Sequence, residues 1–351
     1  MPTLKLSAPG QLDRHSVVPW VRSVIDDLHR AGREGFHTEI AAPAGMPIAI
    51  HLDDPAMAEA YCSRLMGWGT TMPAQATHYV LTGRHPGLAT LPEWTDHAFG
   101  PAQFDALLAA AGLKASYQDR NWRLFDVNAR VGAQLSFRQG VLRPWHAGLL
   151  LIDWTLQSAG FSLTHAGTVG IDGRGILLAG QSGSGKSGTT LAGLAAGLKT
   201  VGDDFVALRC DTAPVVRAVF PQGRQDPEGV DRIPGLRQRL PSDRLNHQGK
   251  FEFDLRESFP GAFVDELSVD AIVLPTLSGA AVPTMRPVPA TEAMIELLRS
   301  NPFRYVGEPG SRMARFGALA RSRPCYRLEL SADAARNGQA LRTLLDTLIL
   351  Q

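Results

Sequence analysis

Three sets of residues have the types and spacing to do chemistry together. The first is the run Gly180-Gln-Ser-Gly-Ser-Gly-Lys186-Ser187, which fits G-x-x-x-x-G-K-[ST] at every fixed position. Glycines in such a run let the backbone curl until successive N–H groups point inward at an anion. A helix starting near Lys186 adds its positive end. The candidate phosphate-binding residues are Gly180, Ser182, Gly183, Ser184, Gly185, Lys186, Ser187 and Gly188. Lys186 has the reach for β- and γ-phosphates, and Ser187 offers a hydroxyl to magnesium, so ATP and Mg2+ are the implied cofactors. The second set is Asp203-Asp204, seventeen residues beyond Lys186. Adjacent carboxylates repel one another, and a cation beside them keeps both charged. One acid could serve the metal and the other could take a proton from an attacking hydroxyl. Gly-Asp-Asp is also ordinary turn chemistry. The third is His165, which as a lone histidine is as readily structural as functional.

The elements around these residues are those that such a site needs. Residues 174–179 read as an apolar strand running into the glycine-rich turn, and a helix follows to Leu198. A hairpin at Asp172-Gly173 joins that strand to the one before it. Residues 199–209 read as strand, turn, strand, with the acid pair in the turn. Upstream, Val21, Val24, Ile25 and Leu28 have helical spacing behind Pro19, and strands and helices alternate as far as residue 140. This predicts an α/β protein with a smaller N-terminal α+β domain, residues 1–140, and a catalytic domain over 141–351. Residues 221–250, rich in Pro, Gly, Arg and Asp without periodicity, read as a long mobile surface loop.

Composition narrows the partners. A chain of 351 residues is too long for one ordinary core. A net charge of +1 creates no global field toward nucleic acid or a membrane surface, so neither is expected as a partner. No stretch approaches the roughly 20 apolar residues that span a bilayer, and the opening MPTLKLSAPG is short and broken by proline, so no leader is expected either. Cys62, Cys210 and Cys325 lie far apart and form no metal-binding pattern, which points to the cytoplasm.

The stretch from Ser162 to Leu208 resembles the catalytic core of the HPr kinase/phosphorylase family and its HPr-kinase-like relatives, among them serine kinases of ribosomal-peptide clusters such as those for lasso peptides. The resemblance lies in a histidine, a short hairpin, a G-x-S-G-x-G-K-S loop and an Asp-Asp pair at this distance from the lysine; it is tight over about sixty residues and loose over 141–345. It implies a P-loop kinase core of the kind found also in phosphoenolpyruvate carboxykinase. It implies Asp203 as the acid that activates a serine hydroxyl, Asp204 as its partner near the metal beside Ser187, His165 as a residue close to the acid pair, and Lys186 on the phosphates.

The downstream L-E-[IV]-R-G-[LV]-G-[IL] signature of the bifunctional members is absent, so phosphorolysis and HPr as acceptor are not implied. In its place stand Arg224, Arg232, Arg237, Arg239 and Arg244, a solvated mixed-charge loop or a lid that brings an arginine to the transferring phosphate, with Glu228 as a further metal-ligand candidate and Lys250 facing nucleotide or substrate. The expected function is ATP- and Mg-dependent transfer of a phosphoryl group to serine on a peptide or small protein, including a ribosomal peptide precursor. A small-molecule kinase of the same fold and a non-catalytic nucleotide-gated regulator are the alternatives, and homo-oligomerisation is left open.

Overall fold

The computed structural model describes residue 4 and residues 6–8, 11–31, 34–82, 91–93, 99, 101–137, 148–301 and 309–349. The fold is mixed α/β with several sheets, and the chain divides into two compact units at Ser162/Leu163. Among the described residues no helix is long and apolar enough to cross a membrane.

The first unit is built on a six-stranded sheet in the order 37–41, 48–52, 76–81, 131–136, 121–126, 113–118. The two pairings from 48–52 through 76–81 to 131–136 are parallel and the rest antiparallel. Side chains alternate across a strand, and here Leu124 and Phe125 part company accordingly. Leu124 and Trp122 join a core with the helices 14–31 and 101–108, where Trp20 meets Trp122 at 4.6 Å between ring centroids. Phe125 turns the opposite way onto Leu150, Leu151 and Trp154 of the helix 149–157. That helix also takes a hydrogen bond between Thr155 Oγ1 and His78 Nε2 at 2.8 Å. His78 is fully buried, and burial holds its pKa down at about 3, so it is a neutral packing residue.

The helix 149–157 explains why the division falls at 162/163 and not at the expected 140/141. Its apolar side chains complete the first unit's core, so the boundary lies beyond it. Gly112 stops the helical segment before it at φ 67°, and Leu113–Gln118 is then a strand, with apolar Leu113, Ala115 and Tyr117 alternating with Lys114, Ser116 and Gln118.

The second unit holds a five-stranded sheet in the order 167–171, 174–178, 271–280, 325–331, 284–287. The hairpin 167–171/174–178 turns at Asp172 and Gly173, both at positive φ (50° and 80°), as a two-residue turn requires. Strand 174–178 then runs parallel to 271–280 and empties into the glycine-rich turn, at the carboxyl end of the sheet where ligands of open α/β sheets gather. Val169, Ile176, Leu178, Val273 and Leu328 pack on Leu341 and Leu345 of the helix 334–349. A second sheet, in the order 266–268, 215–218, 205–209, 162–165, carries the acid turn at its edge of entry.

Residues 221–250 are not the structureless loop expected. Gln222–Gln225 pairs antiparallel with Phe251–Asp254, and Pro227–Arg232 is a short helix. Asp226 caps it by accepting from Gly229 N at 2.7 Å, with Pro227 in the first turn. Val230, Ile233 and Leu236, three residues apart, are buried against Leu191, Phe251 and Phe253. Their apolar spacing is diluted by the surrounding Arg, Asp and Gly, which hid it from the composition.

The helix 186–195 that follows the glycine-rich turn is gripped from two sides. A Cβ on Gly193 would meet Val169 Cγ1 at 2.7 Å, and one on Gly338 would run into the Ala192 carbonyl of the facing helix. Gly338→Val is expected to lower stability by about 1–3 kcal/mol through overpacking, read as an earlier midpoint in urea. An unchanged midpoint would show that the two helices have room to part.

Candidate functional site

The glycine-rich turn forms the floor of a cleft of about 390 Å³, lined on its floor by Ser182, Gly183, Gly185, Lys186, Ser187 and Gly188. Gly183 and Gly185 sit at φ 84° and 99°, in the left-handed region that favours glycine. A Cβ on Gly185 would also strike Leu330 Cδ1 at 2.5 Å. Gly185 is the N-cap of the helix 186–195, so the first amides of that helix face the cleft without intrahelical partners. Gly180 and Ser184 shape the turn from behind. The Gly180 carbonyl accepts from Lys186 Nζ at 2.5 Å, and Ser184 N donates to Gln181 O at 3.2 Å. Lys186 is buried, and burial pulls its pKa down while Asp203 and Asp204 pull it back up.

The acid pair is placed by hydroxyls. Thr168 Oγ1 and Thr200 Oγ1 lie 2.8 Å apart in a hydroxyl–hydroxyl bond, and each is also within hydrogen-bond distance of the Gly202 carbonyl, at 3.0 and 3.1 Å. Gly202 N returns a bond to Thr200 Oγ1, and Ala166 N donates to Asp204 O. The turn 200–204 is thereby laced to the strand 167–171 on both sides of the acids.

The two carboxylates then part. Asp203 is 2% exposed and faces the Ser187 and Thr190 hydroxyls and Lys186, while its Oδ1 makes no hydrogen bond. Burial first, and the neighbouring Asp204 second, raise its pKa to about 6. Asp204 faces the other way. Its Oδ1 is 3.2 Å from His165 Nε2 and its Oδ2 3.7 Å from Arg224, and these contacts hold its pKa below the ordinary value despite burial.

His165 is therefore in contact with the acid pair. Its Nδ1 donates to the Ser300 carbonyl at 3.0 Å, and its backbone N donates to Asn301 Oδ1 at 2.6 Å. Ser300 O is the last carbonyl of the helix 290–300, so the ring lies between a helix C-terminus and the Asp204 carboxylate. Phe205 covers it at 5.4 Å between centroids.

The structure brings His165, Lys186, Ser187, Asp203, Asp204, Arg224, Arg232 and Lys250 to one cleft. It does not bring Glu228, Arg237, Arg239 or Arg244 there. Glu228 pairs with Arg232 on the surface, Arg237 lies over Phe251 and pairs with Asp231, and Arg239 lies over Phe259. Sequence reasoning missed Thr190, Gln225, Leu277, Leu330 and Asn337. Thr190 stands one helical turn beyond Ser187 and could have been found from that spacing; the others arrive from strands and helices that no contiguous motif marks.

The donor set fits magnesium held chiefly by phosphate oxygens. Among the described residues no three His, Cys, Asp or Glu side chains converge as a metal cage, and a hard cation that keeps waters and phosphate oxygens needs only one or two protein oxygens. Ser187 faces Asp203, whose orphaned Oδ1 is the buried acceptor available on that side. Asp204 already has both oxygens toward His165 and Arg224.

No family model matches the chain, and no curated protein matches it. Among solved structures, the Hpr(Ser) kinase/phosphatase from Coxiella burnetii is similar over 54% of this chain and 94% of that one, at 14% identity and a TM-score of 0.28. A likeness of that degree leaves the function to the geometry of the cleft.

The raised pKa of Asp203 has a sign. Its folded value lies above the unfolded 3.8, so ionising it in the folded protein is costly. Its contribution is neutral below about pH 4, turns into a loss as pH rises from about 4 to about 6, and stays at that full loss above. Asp203→Asn, which cannot ionise, is expected to match the native protein at pH 4 and exceed it by about 2–3 kcal/mol at pH 8, measured by urea unfolding without nucleotide. Equal stability at both pH values would show that the carboxylate is not desolvated.

Proposed function

We propose that this protein is an ATP- and magnesium-dependent kinase that transfers the γ-phosphoryl group to a serine hydroxyl on a peptide or small protein. The observation that carries this reading is Asp203, a buried carboxylate with a raised pKa and an unbonded oxygen, set beside the lysine and serine of a glycine-rich phosphate turn. A carboxylate whose pKa lies near working pH is suited to accept a hydroxyl proton. A pure nucleotide sensor has no use for one.

In this reading the amides of Gly183 to Ser187 and the Lys186 ammonium hold the phosphates. Ser187 offers an oxygen to magnesium, which when bound neutralises phosphate charge. Asp203 takes the proton from the serine Oγ as that oxygen bonds to the γ-phosphorus and ADP departs. Asp204 holds His165 and Arg224 in place, so an imidazole and a guanidinium border the phosphoryl side of the cleft. Most of the rate then comes from positioning and charge, as phosphoryl transfer asks little covalent chemistry of a protein. A peptide or protein acceptor is favoured over a metabolite because the chain carries a whole second unit with its own core. The peptide-precursor branch of the resemblance supplies the first acceptors to try.

The contact between Asp203 and Ser187 favours one rival assignment, Asp203 as the acid on the magnesium side. The purified protein with magnesium, γ-labelled ATP and serine peptides, precursor peptides included, separates the readings by mass. Phosphoserine is expected, with Asp203→Asn lowering kcat at least about 100-fold while ATP binding persists, and Lys186→Ala weakening binding and turnover together. Loss of magnesium-dependent ATP binding in Asp203→Asn would make that residue a metal-side acid. ATP binding with no phosphorylated peptide would turn the assignment to a small-molecule acceptor or a nucleotide-gated regulator.

A further inference from the structure

The cleft is polar at one end and apolar at the other. The acid pair, His165, Arg224 and Lys250 mark the phosphoryl end. Across Gly185 the lining changes to Leu277, Leu330, Ala332 and Ala334. Leu277 stands 65% exposed, although it packs at 3.4 Å from the position a Gly185 Cβ would take and belongs to the same wall as the buried Leu330. A large apolar side chain left open beside a phosphate turn has surface to cover, and what a phosphate turn brings with it is the rest of a nucleotide.

The polar groups at this end are already committed. Asn337 donates from Nδ2 to the Ser331 carbonyl and accepts at Oδ1 from Ser331 N, each at 2.9 Å. Ser331 Oγ donates to Ala281 O at 3.1 Å and accepts from Asp333 N at 3.1 Å. Both ends of the amide and both functions of the hydroxyl are thus engaged within the protein. A base edge arriving here meets methyl and isobutyl groups, whereas discrimination between purines needs donors and acceptors that would be left unpaired by the wrong one.

Resting on the glycine-rich turn as the phosphate site, we infer that the wall Leu277–Leu330–Ala332–Ala334 seats the nucleobase by apolar contact and reads none of its edges, so the cleft takes ATP and GTP with similar affinity. Calorimetry with magnesium and three probes, ATP, GTP and inorganic tripolyphosphate, tests this on the full chain. ATP and GTP are expected to bind within about threefold of each other. Leu277→Asn, neutral and at an exposed position that does not support the core, is expected to weaken both nucleotides about tenfold and to leave tripolyphosphate unchanged. An ATP preference above tenfold, or nucleotide affinities untouched in Leu277→Asn while tripolyphosphate still binds, would overturn the inference and spare the phosphate site. Failure of the native protein to bind even tripolyphosphate would bring down the phosphate-site reading, and this one with it.

Discussion

Two neighbouring carboxylates cannot be sunk into a protein without something to answer their charge, and the second unit is arranged around that constraint. Asp203 is drawn fully out of water and Asp204, its side chain 27% exposed, only in part, and desolvation pushes both toward the protonated form. The answer is split. Asp204 is met by His165 and Arg224 and stays charged. Asp203 is met by two hydroxyls and by a lysine whose pKa burial pulls down, and its own pKa stays raised. Identical residues, adjacent in sequence, acquire different chemistry from what surrounds each.

That separation requires the turn between them to be held rigidly, and the Thr168–Thr200–Gly202 lacing does so without charge. Hydroxyls are suited to the task because they donate and accept at once, satisfying buried carbonyls and amides in a space too tight for longer side chains. The same strand 167–171 also packs on the helix 186–195 through Val169 and Gly193, so one short strand fixes both the acids and the phosphate turn.

What could be read from the sequence follows from how local each feature is. The phosphate turn is contiguous, and every one of its positions answers to backbone geometry, so Gly183, Gly185, Lys186 and Ser187 were legible at once. The Asp172-Gly173 hairpin was legible for the same reason. His165 was ambiguous because its meaning depends on Asp204 and on a helix end more than a hundred residues away. Within 221–250 the composition outweighed three apolar residues at helical spacing, and the helix 149–157, eight of whose residues are buried, carries no local sign of which core it joins. Leu277 gave no signal at all. An exposed leucine in a strand becomes informative only when the strand is seen to end at the phosphate turn.

The tight glycine contacts on the helix 186–195 bear on how the cleft can respond to a ligand. With Val169 against one side and the Ala192 carbonyl close under Gly338 on the other, this helix is held closely at both contacts. It acts as an anvil. The short capped helix 227–232 and the turn beyond it bear on the anvil helix through Val230 and Ile233 against Leu191. Arg232 stands on this short helix and lines the cleft, so its position is set by the same apolar contact that rests on the phosphate-bearing helix.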